Sequence, residues 1–132
     1  MEKYEKLLNM LMDFNSSIRF AAVCNSKGEI LWHSQRTGVK NIVPLADTKK
    51  TLLRALSAWQ ERAKVTSIVG KGLYTIAAYE KIKRITVPLD GGNLLFISVG
   101  NTPLKSSKGK SYGHLVEMGK IMSIVDFVNQ NA

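Results

Sequence analysis

The sequence predicts an α+β domain with a single five-stranded antiparallel sheet and the element order α-β-β-α-β-β-β-α. Three observations support this fold class. Three segments have apolar residues at helical spacing, five shorter runs are rich in β-forming residues, and tight turn sequences separate consecutive runs. Strands joined by tight hairpins are antiparallel. The length of 132 residues fits one domain spanning 1–132.

A helix and a hairpin open the chain. Apolar residues spaced three and four apart predict a helix over 3–14, and the polar residues 15–17 end it. Two apolar runs, 19–24 and 29–33, flank the loop Asn25-Ser26-Lys27-Gly28. A short polar loop that contains glycine between two apolar runs predicts a β-hairpin.

A second helix follows the loop 34–44. Asp47 or Thr48 can cap it, and it extends to about Lys64. Its predicted core stripe consists of Leu52, Leu56, Trp59 and Ala63, with Leu53 and Ala55 beside it. Basic residues fall largely outside this stripe: Lys49, Lys50, Arg54, Arg62 and Lys64. The helix therefore has an apolar side and a basic side.

From Ser67 to Gly100 the sequence has the character of β-strands, after glycines at 70 and 72. The run 73–79 is followed by a tight turn at 80–81, and the run 82–87 is closed by Pro88. Asp90-Gly91-Gly92-Asn93 predicts a hairpin turn. The run 94–99 is the most apolar, which predicts a central strand buried on both faces.

The last part contains a flexible basic loop, 101–110, and a final helix over 111–128. The stripe of this helix consists of Leu115, Met118, Met122 and Val125, and it is widened by Ile121, Ile124 and Val128. Such a face is broader than an isolated surface helix needs. It covers much of the sheet or contacts a second chain.

Charge is the most distinctive property of the composition. The net charge is +9, and the stretch from Arg36 to Lys110 has fourteen basic and four acidic residues, a balance of +10. This balance favours polyanionic partners, although basic proteins are also common simply for solubility. No apolar run approaches the roughly 20 residues of a membrane span. The single cysteine, Cys24, agrees with a cytoplasmic location.

The motifs of catalysis are missing or incomplete. Gly109-Lys110-Ser111 is the tail of a phosphate-binding loop, but position 104 is leucine where that loop needs glycine. The two histidines, His33 and His114, and Cys24 have no metal-ligand spacing. The ten carboxylates are scattered. We therefore expect no catalytic residues, no metal and no cofactor, and a protein that is not an enzyme.

The element order, the first hairpin over 21–31 and the closing hairpin at 90–93 resemble the roadblock (dynein light chain) family of the profilin-like group. Residues 79–89 also resemble an uncharacterised protein family of ammonia-oxidising archaea. The roadblock resemblance implies that the first and last helices lie on one face of the sheet and the second helix on the other.

The roadblock resemblance also implies a function. Roadblock-like proteins are usually non-enzymatic dimers that scaffold or regulate small GTPases and motors, joined through the second helix and third strand, here about 47–64 and 72–79. The candidate dimer interface consists of Leu53, Trp59, Leu73, Tyr74, Thr75 and Ile76. The basic side of the second helix would oppose pairing with its copy. Either that side points outward in the dimer, or the protein dimerises differently.

The alternative function is binding of a polyanion such as DNA, RNA or an anionic surface. The candidate anion-binding residues are Lys49, Lys50, Arg54, Lys81, Lys83, Arg84, Lys105, Lys108 and Lys110. Tyr74 and Tyr79 can stack on unpaired bases. Strand alternation puts Lys81 and Lys83 on one face and Arg84 on the other, so a single patch does not follow. A small-molecule sensor of the profilin-like type is a third hypothesis, without a motif to support it.

Overall fold

The computed structural model describes residues 2–38, 45–100 and 117–130 of the chain. The helices are α1 (Glu2–Phe14), α2 (Leu45–Arg62), α3 (Thr66–Val69) and α4 (Met118–Gln130). The strands are β1 (Ile18–Cys24), β2 (Ile30–Gln35), β3 (Thr75–Ala78), β4 (Ile82–Pro88) and β5 (Leu94–Gly100).

The five strands form one sheet in the order β2-β1-β5-β4-β3, and every neighbouring pair is antiparallel. This confirms the predicted fold class. The apolar strand β5 lies in the centre, and five of its seven residues are buried. The edge strands of the sheet are β2 and β3.

One face of the sheet is covered by α1 and α4. The buried residues of α1 are Leu7, Leu8 and Leu11, and those of α4 are Met118, Ile121, Val125 and Val128. They pack with inward-facing residues of β1, β4 and β5 in one apolar cluster, which Met122 and Ile124 extend. The broad apolar face of the last helix is therefore used inside this chain.

The other face is covered by α2, which agrees with the helix placement that the resemblance implies. Leu52 and Leu56 pack on Phe20, Ala22, Cys24, Leu94 and Phe96. Alternation along β1 and β5 sends neighbouring residues to opposite faces, so each strand contributes to both clusters.

The hairpin between β1 and β2 depends on two residues of its turn. The side-chain Oδ1 of Asn25 accepts hydrogen bonds from the backbone N–H groups of Lys27 and Glu29, both at 3.0 Å. Gly28 has φ +80°, a conformation that glycine adopts without strain. Its Cα also lies against the side chain of Leu53 in α2, so a Cβ there would come within 2.7 Å of Leu53 Cδ2.

Arg36 fixes the end of α1 to the sheet. Its guanidinium donates to three backbone carbonyl oxygens, those of Ile18 at 2.8 Å, Met12 at 2.9 Å and Asn15 at 3.0 Å. A cation near the C-terminal carbonyls of a helix is favourable. This member of the basic central stretch therefore stabilises the fold and is not available to a ligand.

Several element boundaries differ from the prediction. The second helix begins at Leu45, before the expected cap at Asp47 or Thr48. The chain then stays helical beyond Lys64, through a 3₁₀ turn at Ala63–Val65 and α3, where β-strand character was expected from Ser67. Ala63 is exposed, so it does not extend the core stripe. Gly70, with φ +91°, ends this helical extension.

The expected loop 101–110 and the expected helix start at 111 lie outside the described residues. Within the described segments, no helix combines the length and the apolar character needed to cross a membrane.

Candidate interaction surfaces

Most of the exposed large hydrophobic side chains among the described residues lie along β3 and the helical segment before it. Of the ten large hydrophobic residues exposed among the described residues, eight lie between positions 53 and 79. They are Leu53, Val65, Ile68, Val69, Leu73, Tyr74, Ile76 and Tyr79. Ile68 and Val69 are 82% and 74% exposed, more than any other large hydrophobic residue described. Exposed apolar side chains concentrated in one stretch of the chain are typical of interaction surfaces.

We call the stretch from Leu73 to Tyr79 the β3 edge. Four of the six candidate dimer residues lie on it: Leu73, Tyr74, Thr75 and Ile76. Among the described residues no strand pairs with its outer side, so the backbone N–H and C=O groups of alternate residues, which do not bond to β4, face outward. The β3 edge thus combines exposed apolar side chains with outward-facing backbone N–H and C=O groups.

The other two candidate dimer residues lie elsewhere. Trp59 is partly buried, and its Nε1–H donates a 3.0 Å hydrogen bond to Oγ1 of Thr86 in β4. Leu53 contacts Gly28 in the β1–β2 turn, at the opposite side of α2 from β3. The structure therefore does not bring Leu53 together with the β3 edge.

Val65, Ile68 and Val69 belong to the same exposed apolar area but were not among the sequence candidates. Their spacing of three and four is helical, so the pattern of α2 continues beyond Lys64. This helical spacing is the signal in the sequence that identifies them.

A groove lies between α2 and the β3–β4 hairpin, with a volume of about 260 Å³. We call it the arginine groove, because Arg54 and Arg62 of α2 and Arg84 of β4 line it. Arg54 and Arg62 are eight residues apart, which places them on one helix face. Arg84 faces α2 because strand alternation puts it on the same side as Thr86.

Two of the three guanidinium groups stack on aromatic rings. The Cζ of Arg62 lies 5.0 Å from the ring centre of Trp59, and that of Arg84 lies 5.3 Å from the ring centre of Tyr79. Both distances are within the range of cation–π attraction. Trp59 is in turn held by Thr86, whose Oγ1 lies 2.6 Å from Oγ1 of Thr75.

The nine candidate anion-binding residues do not form one patch in the described structure. Arg54 and Arg84 meet in the arginine groove, whereas Lys49 lines a different cavity beside β2. Lys83 lies on the opposite face of β4 from Arg84. Lys50 and Lys81 are exposed and line neither cavity. Lys105, Lys108 and Lys110 lie outside the described residues.

The cavity beside β2 has a volume of about 540 Å³ and is lined by Phe20, Ile30, His33 and Lys49, among others. Phe20 and His33 stack there with ring centres 6.1 Å apart. The chain that joins β2 to α2 includes residues 39–44, which are outside the described residues.

Cys24 is a buried side chain of β1. Desolvation by burial raises the pKa of its thiol, while backbone hydrogen bonds from Cys24 and Leu94 oppose that rise. A raised pKa keeps the thiol protonated and weakens it as a nucleophile. Within the described residues, no group of three or more His, Cys, Asp or Glu side chains is placed to hold a metal ion.

Comparisons with known proteins identify the fold. No protein-family model matches the chain, and no curated protein is similar to it in sequence. Among solved structures, the gliding protein MglB from Thermus thermophilus aligns with a TM-score of 0.67 at 16% identity, covering 99% of this chain and 91% of that one. A roadblock/LC7 domain from Streptomyces avermitilis aligns with a TM-score of 0.61 at 7% identity, covering 95% and 90%.

A third structure, MglC from Myxococcus xanthus, aligns with a TM-score of 0.53 at 10% identity, covering 98% of this chain and 95% of that one. These likenesses do not test the resemblance to archaeal proteins, which stays a prediction. The shared architecture extends over nearly the whole chain, and it confirms the fold that the first and closing hairpins indicate. The protein has the roadblock fold.

Proposed function

We propose that the protein is a non-enzymatic homodimeric interaction module that scaffolds or regulates a protein partner. The observation that carries this proposal is the exposed apolar β3 edge, continuous with the exposed residues of α3. Small GTPases are the partner class that the roadblock resemblance implies. One similar structure is that of MglB in a tetrameric arrangement, with a TM-score of 0.64 at 16% identity.

The β3 edge suits pairing with its own copy. Two antiparallel β3 strands related by a two-fold axis would satisfy their outward backbone groups and join the two sheets. Residues 73–79 contain no charged side chain, so like charges do not meet along this line. The exposed apolar side chains at either end would be buried by the same contact.

The basic residues of α2 do not oppose this arrangement directly. Arg62 and Arg84 stack on Trp59 and Tyr79 within the arginine groove. Lys49 lies at the cavity beside β2, on the other side of the helix. The residues of the pairing line carry no charge themselves, and the nearest positive charge in this set is that of Arg84 beside Tyr79.

A pair of matched substitutions tests the dimer. Ile76 in β3 and Ile30 in β2 are the same residue type, each 41% exposed, on opposite edges of one sheet. We expect light scattering to give a dimer for the natural chain and for Ile30→Glu, and a monomer for Ile76→Glu, because a carboxylate at a β3 contact would be desolvated. Circular dichroism checks that both variants fold.

A natural chain that is monomeric across the micromolar range would refute the dimer. Dissociation by Ile30→Glu, with Ile76→Glu remaining dimeric, would instead assign the contact to β2. The regulatory part has its own test, which is binding of small GTPases from the same organism, loaded with GDP or a non-hydrolysable GTP analogue. We expect one nucleotide state to bind more tightly, since a regulator acts through differential affinity.

A further inference from the structure

We infer that the arginine groove is a binding site for a small oxyanion of the phosphate class. This inference goes beyond the proposed dimer, and it concerns the face of the sheet that α2 covers. Three guanidinium groups, a set of threonine hydroxyls and two aromatic rings surround one groove of about 260 Å³.

The first argument is uncompensated charge. All ten carboxylate side chains of the protein belong to the described residues, and none of them lines the groove. The nearest acidic residue along α2, Glu61, instead pairs with Lys64 at 3.1 Å, in an exposed position. Three like charges held around one groove repel one another, and a bound anion relieves that repulsion.

The second argument is the positioning of the donors. The Cζ atoms of Arg62 and Arg84 lie 5.0 Å and 5.3 Å from the ring centres of Trp59 and Tyr79, so an aromatic ring helps to hold each guanidinium at the groove. A planar guanidinium donates two parallel hydrogen bonds to phosphate or carboxylate oxygens. Because the rings restrict these side chains before any ligand arrives, less conformational entropy is lost on binding.

The third argument is the hydroxyl pair beside the arginines. Thr86 is 7% exposed, and its Oγ1 accepts the hydrogen bond of Trp59 Nε1–H. Thr75 Oγ1 lies 2.6 Å from Thr86 Oγ1. If Thr86 donates to Thr75, the proton of the Thr75 hydroxyl is left for a ligand oxygen in the groove. The groove then offers both charged and neutral donors.

Size favours a compact ligand. Pockets for drug-sized molecules occupy about 300–1,000 Å³, and the arginine groove is smaller than that range. Lys83 lies on the other face of β4, and Lys49 lies across α2, so neither of these two lysines extends the positive charge of the groove. These features favour a single phosphate group over a nucleic-acid backbone.

The groove and the β3 edge share three residues, Thr75, Ala77 and Tyr79. A phosphate bound there would neutralise positive charge beside the proposed dimer contact. We therefore expect phosphate to strengthen self-association, and measurements on the Ile76→Glu variant separate anion binding from dimerisation.

The probe is inorganic phosphate, titrated calorimetrically against chloride at constant ionic strength. We expect saturable binding of one phosphate per chain in the natural protein and in Ile76→Glu. Arg54→Gln and Arg84→Gln should each weaken binding by about tenfold or more, since a hydrogen bond to a charged group is lost. The matched control Lys49→Gln, on the same helix but at the cavity beside β2, should stay within about twofold. Arg84→Lys keeps the charge but loses the planar fork, so it should weaken binding as well.

Absence of saturable binding in the natural chain would overturn the inference. Equal weakening by Lys49→Gln and Arg54→Gln would also overturn it, because the effect would then be general electrostatics. So would a single-stranded DNA oligonucleotide that binds more tightly than phosphate and is weakened equally by every basic substitution. A monomeric natural chain that binds phosphate would refute the dimer and support the groove. Far-UV circular dichroism confirms that each variant is folded.

Discussion

Gly72 lies against the ring of Trp59, and adding a single methyl group there tests how the arginine groove is supported. A Cβ at position 72 would overlap Cζ3 of Trp59 and lie 3.2 Å from Cη2 and 3.3 Å from Cε3. The indole is fixed by its hydrogen bond to Thr86 and by its packing beside Leu52 and Phe96. We therefore expect Gly72→Ala to displace the ring and break that hydrogen bond.

The magnitude follows from three terms. Overpacking typically costs about 1–3 kcal/mol, and loss of the Trp59–Thr86 hydrogen bond costs about 1 kcal/mol. Replacing glycine by alanine lowers the entropy of the unfolded chain, which returns about 0.4–1 kcal/mol. The net loss in the free energy of unfolding is about 2 kcal/mol. For a chain of this length it corresponds to a fall in Tm of about 8 °C.

Thermal unfolding followed by circular dichroism measures this loss, with Gly119→Ala as the matched control. A Cβ at Gly119 in α4 meets no atom within 4 Å, so that substitution should be neutral or stabilising. In a Trp59→Leu background the ring is gone, and Gly72→Ala should then cost little. Equal destabilisation by Gly72→Ala in both backgrounds would refute the steric argument, because the double-mutant coupling would be zero.

Two further substitutions test the described contacts. Arg36→Gln removes the charged donor to the carbonyls of Met12, Asn15 and Ile18 and should lower the free energy of unfolding by about 1.5–3 kcal/mol in urea, without changing the oligomeric state; an unchanged midpoint would contradict the structural role. Burial raises the pKa of the Cys24 thiol, so native protein should react slowly with iodoacetamide at pH 8 and rapidly in denaturant. Because this pKa is higher in the folded than in the unfolded protein, the protonated Cys24 thiol stabilises the fold fully below pH 9.0, the pKa of the thiol in the unfolded chain. That stabilisation is lost as the pH rises through the pKa of the thiol in the folded protein. Cys24→Ala should flatten that alkaline decline, and a native thiol as reactive as a free one would contradict the assignment.

The strands were predictable because each has a local signal. Alternation, short turns and the apolar run 94–99 identify five strands and a central β5 without tertiary information. The end of α2 at Arg62 lies within two residues of the prediction, but the helical continuation through Ala63–Val65 and α3 was not predicted, because the glycines at 70 and 72 favoured the entry of a strand. The helical spacing of Val65, Ile68 and Val69 carried the opposite signal. In this segment the turn residues favoured a strand and the spacing of the apolar residues favoured a helix, and the segment is helical.

The arginine groove was only partly predictable from the sequence. Arg54 and Arg84 were expected to bind anions, but they are thirty positions apart, and only the position of α2 over the β3–β4 hairpin brings them to one groove. Arg62 joins them because it is two helical turns beyond Arg54. The contact of Leu53 was not predictable. Helical spacing shows on which side of the helix a residue lies, but it does not show which residue packs there, and for Leu53 that residue is Gly28.

The two edge strands of the sheet, β2 and β3, differ in how many large apolar side chains they expose. This difference explains why β3 is the better interaction surface. In β2, Trp32 packs against the apolar cluster beneath α1. Ile30 is the one large hydrophobic residue of β2 that is exposed. At β3, apolar exposure continues from α3 through Leu73 and Tyr79. Alternation at the same time places Arg84 in the groove, beside Tyr79. The β3 edge has no charged side chain of its own and suits a second copy of the chain, and its residues Thr75, Ala77 and Tyr79 also line the charged groove, which suits an anion.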